Sequence, residues 1–258
     1  MDKPPVLIAL AAVGLLAGAW LIFMLFVYLR ARRRLALARA ALDAGDTDRA
    51  RSLVAPLLAR FPTISFVDNA AAEILYETGD PLSAASLWER AMKRLGPREV
   101  APRLVAAYAA LNRAGDARRV AALAPDDGMV RLALVWSELV AVGGDRVRAL
   151  ELVDALARDA SLRVSASSDA MVSALEAIAA ARRGDAVSMR AALARAERRK
   201  DELAAHDRAF IGYLGGIALR EAESIDDARA TFTMAMDAAP DSIGAALARR
   251  ERSHLPQA

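Results

Sequence analysis

The chain contains no cysteine among its 258 residues. That excludes disulfides, thiolate nucleophiles and Cys-ligated metals together, and it suits either redox compartment. Histidine occurs only at His206 and His254. Neither has a partner histidine at helical spacing, so no zinc site of the His-Glu-x-x-His kind is expected. Aromatic residues make up 5% of the chain although apolar residues make up 55%, and alanine supplies much of the difference. Such a composition suits closely packed helices and gives sheets little support. No Gly-rich phosphate loop is present, and the hydroxyls of residues 161–168 have no identifiable base beside them. The acidic pairs Asp126-Asp127 and Asp226-Asp227 read as turns and helix starts, where the helix dipole favours negative charge. The expectation is a non-catalytic protein with no metal and no cofactor.

Lysine is nearly absent too, occurring at Lys3, Lys93 and Lys200, so arginine carries almost all positive charge. That bias is associated with GC-rich bacterial genomes. The formal net charge of +3 is unevenly spread. Residues 1–40 hold Lys3, Arg30, Arg32, Arg33, Arg34 and Arg39 against Asp2. Taking those six and one from the totals of 35 and 32 leaves 29 basic and 31 acidic residues, a net −2, for the remainder. A body with that balance lacks the one-sided charge of a nucleic-acid binder.

Residues 6–29 are uncharged for 24 positions, long enough at about 1.5 Å per residue to cross a hydrocarbon layer of about 30 Å. The run is too long for a cleavable leader, and the basic cluster follows it instead of preceding it. The expectation is one retained transmembrane helix behind a short tail (residues 1–5), with a basic collar of Arg30, Arg32, Arg33 and Arg34 (residues 30–34). Basic flanks stay cytoplasmic, which places the body in the cytoplasm under a bacterial inner membrane. The alternative is a periplasmic body. Gly14 and Gly18 form a GxxxG pair, a candidate close-packing point for a second span and so for a homo-oligomer.

A dipeptide organises the rest. Gly-Asp recurs at 45–46, 79–80, 115–116, 144–145 and 184–185, each time between Ala-rich runs of helical period. Glycine ends a helix in the left-handed conformation at little cost, and aspartate caps the next one. The first two turns lie 34 residues apart, as do Ala50 and Ala84, so the reading is stacked helix pairs. Residues 35–241 divide into six. The first carries Leu37, Ala38, Gly45, Asp46, Ala50, Val54 and Pro62. The second carries Ala72, Leu75, Gly79, Asp80, Ala84, Trp88 and Ala91. In the third, Gly115-Asp116 is followed by a second helix cut short at Ala124-Pro125. The fourth has Trp136, Val140, Gly144, Asp145, Ala149 and Val153, and the fifth has Gly184, Asp185, Leu193 and Ala196. The sixth lacks Gly-Asp but has Gly212, Gly216, Leu219, Ala228, Phe232, Ala235 and Pro240. Pro56 should kink the second helix of the first pair. A polar loop is expected over 161–169, a capping helix over 243–252 within a closing segment of 242–258, and a frayed end from His254.

This arrangement of small and bulky residues around a Gly-Asp turn resembles the tetratricopeptide repeat family. The fold class expected is therefore an all-α, TPR-like α-solenoid of about six helix pairs after one N-terminal transmembrane helix. In the family, the first helix of each repeat lines a concave groove that holds partner peptides. The resemblance selects Phe66, Asn69, Glu73, Tyr76 and Glu77 in the second repeat, and Asn112 and Arg113 in the third. It selects Arg131 and Glu138 in the fourth, and Phe210, Tyr213, Arg220 and Glu221 in the sixth. The layout of span, basic flank and repeats is similar to lipopolysaccharide assembly protein B-type adaptors. Those adaptors end in a Cys-ligated metal knuckle, which a chain without cysteine cannot form. What the resemblance implies is a membrane-anchored scaffold or adaptor whose partners are other proteins, engaged through a peptide segment or a membrane complex. The alternative is an envelope-facing holdase or assembly factor of a secretion machine.

Overall fold

The computed structural model describes residues 4–61 and 64–256; for residues 4–12 it describes the helical backbone alone. Asp2, Lys3, Pro62 and the last two residues fall outside it. The elements in chain order are α1 (Pro4–Asp43), α2 (Thr47–Arg60), α3 (Ser65–Glu77), α4 (Pro81–Leu95), α5 (Pro97–Ala110), α6 (Ala114–Ala121), α7 (Gly128–Val140), α8 (Arg146–Ala157), α9 (Ala166–Arg182), α10 (Ala186–Glu197), α11 (Ala205–Glu221), α12 (Ile225–Ala238) and α13 (Ile243–Ser253). No strand occurs among the described residues. Six helix pairs, α1–α2 through α11–α12, each pack on the next, and α13 closes the stack against α11 and α12. The architecture is all-α and solenoid-like.

The turns show why. In five of the six pairs the first helix ends in one hydrogen-bonded motif. The N–H of Asp46 reaches the carbonyl of Ala41, Asp80 reaches Leu75, Arg113 reaches Tyr108, Asp185 reaches Ala180 and Ser224 reaches Leu219. This six-residue closure needs a left-handed residue just before the donor, and Gly45, Gly79 and Gly184 supply it with φ between 74° and 82°. The aspartates then cap the following helices, accepting from the N–H groups of Arg49, Ser83 and Ser188. In the sixth pair Glu223 takes the left-handed position itself, at φ 61°.

Two turns depart from the sequence reading. In the third, the left-handed residue is Asn112, at φ 58°, and Gly115-Asp116 lies inside the first turn of α6. The 34-residue spacing is nearly kept, since Asn112 follows Gly79 by one repeat, and it is the dipeptide that sits out of register. In the fourth, Gly143 is the left-handed residue and the closing acceptor is a side chain: the carboxylate of Glu138 takes the N–H of Asp145.

α1 runs unbroken from the apolar segment through the basic collar into the first pair. It is long and apolar enough to cross a membrane. Its side chains are exposed from Val13 to Phe26, and burial against the body then begins with Val27, Ala31, Leu35, Ala38 and Leu42, one helical stripe. α2 continues through Pro56 to Arg60. The polar loop expected over 161–169 is shorter than that: α9 begins within it at Ala166, capped by Ser165. The end is held where fraying was expected: Leu255 is buried, and Arg229 donates to the carbonyl of Pro256.

The stack bends back on itself. Asp241, after α12, accepts from the Thr47 hydroxyl at 2.9 Å, and its carbonyl sits against Gly79. Arg250 of α13 donates to the carbonyl of Ala110 at the end of α5. The sixth pair and the cap therefore return to the turns of the first three.

Candidate functional site: a cavity inside the curl

This curvature encloses a half-open cavity of about 590 Å³. Its walls come from the first helices of successive pairs. α3 supplies Glu73, Tyr76 and Glu77, and α5 supplies Pro102, Arg103 and Ala106. α7 supplies Met129, Leu132, Ala133 and Trp136. Met171 of α9, His206, Asp207 and Phe210 of α11, Ile243 of α13, Trp88 of α4 and Arg39 of α1 complete it. The α7 residues recur at i, i+3, i+4 and i+7, so a single helix face looks inward.

The floor is apolar and aromatic. Trp136 and Phe210 meet edge to face with ring centroids 4.8 Å apart, and Tyr76 tilts against Trp88 at 5.6 Å. The Trp136 indole N–H and the Tyr213 hydroxyl lie buried side by side behind this wall without a well-formed hydrogen bond. Burial holds the phenols of Tyr76 and Tyr213 protonated well above the usual tyrosine range.

The rim is charged and mostly paired. Arg39 bonds Glu77 at 2.8 Å, and Arg103 bonds Glu73 at 2.5 Å. Burial raises the Glu73 carboxyl above its ordinary value, against the opposing pull of Arg103. The second oxygen of Glu77 is buried without a hydrogen-bond partner. It lies 3.7 Å from Nε2 of His206, whose other neighbour is Asp207 at 3.6 Å. The rim can therefore offer acceptors to a donor entering between α3 and α11, while the floor takes bulky apolar groups.

Of the residues selected from sequence, Glu73, Tyr76, Glu77 and Phe210 come together here. The others lie elsewhere, for identifiable reasons. Phe66 packs on Tyr28 of α1, with centroids 4.9 Å apart. Asn69 accepts from the Trp88 indole at 3.0 Å within its own pair. Asn112 and Arg113 fall in a turn, because α5 has already ended at Ala110; Arg113 lies over the Tyr108 ring and bonds Asp116. Arg131 and Glu138 occupy the face of α7 away from the cavity. Arg131 pairs with Asp159 at 2.6 Å, and Glu138 is buried and gripped by both nitrogens of the Arg118 fork. Tyr213 is fully buried core. Arg220 and Glu221 join Arg182 and Glu251 in a network under α13. The missed wall residues, Trp136 and Met129 above all, carried a legible signal: the apolar i, i+3, i+4, i+7 face of α7.

The collar residues Arg30, Arg32 and Arg33 are exposed on α1 and Arg34 is half-buried. Gly14 and Gly18 are open, with nothing within 4 Å of either. Fold and site together define a helical, solenoid-like protein with an internal cavity and an apolar N-terminal helix able to span a membrane. No protein-family model matches the chain, and no curated protein matches it in sequence.

Proposed function

We propose that this protein is a membrane-anchored scaffold of the tetratricopeptide-repeat type, non-catalytic, that receives a segment of a partner protein in its central cavity. The observation that carries the reading is the cavity itself. Five pairs and the cap contribute one apolar, aromatic floor with paired charges at its mouth, the combination that anchors a bulky side chain and orients the polar chain around it. The rim carboxylates of Glu73 and Glu77 are each tied to an arginine, which suits recognition better than proton transfer. The collar that follows the span favours a cytoplasmic body beneath a bacterial inner membrane.

The test is in-cell photo-crosslinking from a benzophenone amino acid at Tyr76, with Val187, 80% exposed on α10, as the outward control. One dominant adduct from Tyr76 and none from Val187 is the expected result. Equal adducts from both positions, or none from either, overturn the cavity as the partner site. Since the chain has no cysteine, a single one added after Ala258 reports topology by labelling with a membrane-impermeant maleimide. Labelling in intact spheroplasts would replace the cytoplasmic scaffold with an envelope-facing holdase.

A further inference from the structure

We infer that the end of the solenoid facing the membrane span is a docking surface for anionic phospholipid headgroups, so that the first two pairs and the start of α5 lie directly on the bilayer. The inference rests on reading α1 as a membrane span, and it adds a second ligand class on a different surface from the cavity.

The first observation is the absence of a stalk. α1 is continuous, its side chains are exposed without a break from Val13 to Phe26, and packing on the body starts at Val27, with Tyr28 and Leu29 still exposed. At about 1.5 Å per residue, Arg30 to Arg33 lie only ~5–9 Å beyond Val27, the depth of a headgroup layer. A continuous helix that enters the body there leaves no stalk, so only a tilt of α1 in the bilayer lifts this end of the body from the headgroups.

The second observation is what else reaches that level. Contacts across the helices set the alignment: Tyr28 of α1 meets Phe66 at the start of α3, Arg90 of α4 meets Asp68 of α3, and Arg103 of α5 meets Glu73 of α3. By this alignment the end of α2, the end of α4 and the start of α5 come to the same plane as the collar. They bring Arg60, Lys93 and Arg98, all exposed. With Arg30, Arg32 and Arg33 they make six cations, none of which forms an ion pair among the described residues. The carboxylates nearby are largely taken. Asp68 is held by Arg90 and Glu89 by the Tyr108 hydroxyl, leaving Glu99. α1 packs on α2 and α3 and so stands at one edge of this patch; where α1 enters the bilayer, the surface beside it faces the membrane.

The test uses the full chain in lipid nanodiscs. A fluorophore goes on Ser65→Cys, at the start of α3, and in a second protein on Leu82→Cys, exposed at the far end of α4. The quencher is a nitroxide attached to lipid headgroups. In discs containing phosphatidylglycerol, Ser65→Cys is quenched and Leu82→Cys is not, and high salt relieves the quenching. Arg60→Gln, Lys93→Gln and Arg98→Gln each lower the docked-to-undocked ratio about fivefold. Quenching of equal depth in purely zwitterionic discs, or unaltered by the triple variant, overturns an electrostatic docking surface. Absence of quenching at Ser65→Cys in protein that still co-elutes with the discs overturns docking altogether. Failure to co-elute sinks the span and the docking surface with it.

Discussion

Arg118 and Glu138 show how a single buried side chain can replace a backbone motif. Glu138 closes the one turn that lacks the six-residue hydrogen bond, accepting from Asp145 while Arg118 neutralises it and also bonds the carbonyl of Gly143. Glu138→Ala leaves that backbone donor and the guanidinium unanswered and should cost about 2 kcal/mol in urea unfolding, discounted because Arg118 is half-exposed. Between α11 and α12 of the sixth pair, close contact sets the limit. A Cβ on Gly216 would stand 2.4 Å from the buried ring of Phe232, so Gly216→Ala should destabilise by about 1–3 kcal/mol through overpacking. Its melting temperature should fall accordingly. Glu221 makes the pH prediction. Burial pushes its carboxyl up, but hydrogen bonds and charge from Arg182 and Arg220 outweigh that and hold it at about 2. A folded-state value below the unfolded one of about 4.3 adds stability that is complete above the unfolded value. That stability is lost as pH falls through about 2. Wild type should thus lose about 1–2 kcal/mol more than Glu221→Gln between neutral pH and pH 2, with solvent screening of the half-buried group allowed for.

The helix pair is a turn with two helices attached, and five turns repeat one geometry on different residues. Where glycine and aspartate occupy the left-handed and capping positions, the sequence signal and the structure coincide. Where Asn112 or Glu223 takes the left-handed position, the dipeptide is absent or displaced and the signal misleads. A glutamate held at φ 61° bears a steric penalty that glycine does not. Glu223→Gly should therefore stabilise the fold by about 1 kcal/mol, read as a higher urea midpoint at unchanged slope. The same change at Asn112 should gain less, since asparagine tolerates that conformation better. The slip at the third turn also explains the lost groove residues: once α5 ends at Ala110, the helical register that pointed Asn112 and Arg113 inward no longer exists.

At the scale of the whole molecule, the decisive feature is the return of the sixth pair and α13 to the first turns. The cavity exists because α11 and Ile243 of α13 face α3 and α5 across it. The polar contacts across the closure are few, Thr47 with Asp241, Arg250 with Ala110 and His206 with Glu77, so it should open without unfolding the pairs. Cysteines at Thr47 and Asp241 should be joined by a short bismaleimide in the folded chain and not in urea. Arg250→Ala should slow that joining and weaken crosslinking from Tyr76 while leaving helix content unchanged. Retained crosslinking with slowed joining would show that the cavity does not require the closed curl.

Helical period, alanine content, left-handed glycines with capping aspartates and a 24-residue uncharged run are local properties. They determined the helix pairs, their number, the closing helix and the long apolar first helix, because a helix and its cap depend on residues a few positions apart. The face that looks inward was legible for Glu73, Tyr76 and Glu77 in α3, for Phe210 in α11, and along the apolar stripe of α7. The partnership of Glu138 with Arg118, the burial of Tyr213, and the meeting of His206 with Glu77 join residues 20 or more positions apart. In a stack of repeats the curvature follows from the small rotation of each pair on the last, summed along the chain. Tertiary structure alone decided that the stack closes, that α3 and α11 face each other across the cavity, and that the basic end of the solenoid lies level with the collar.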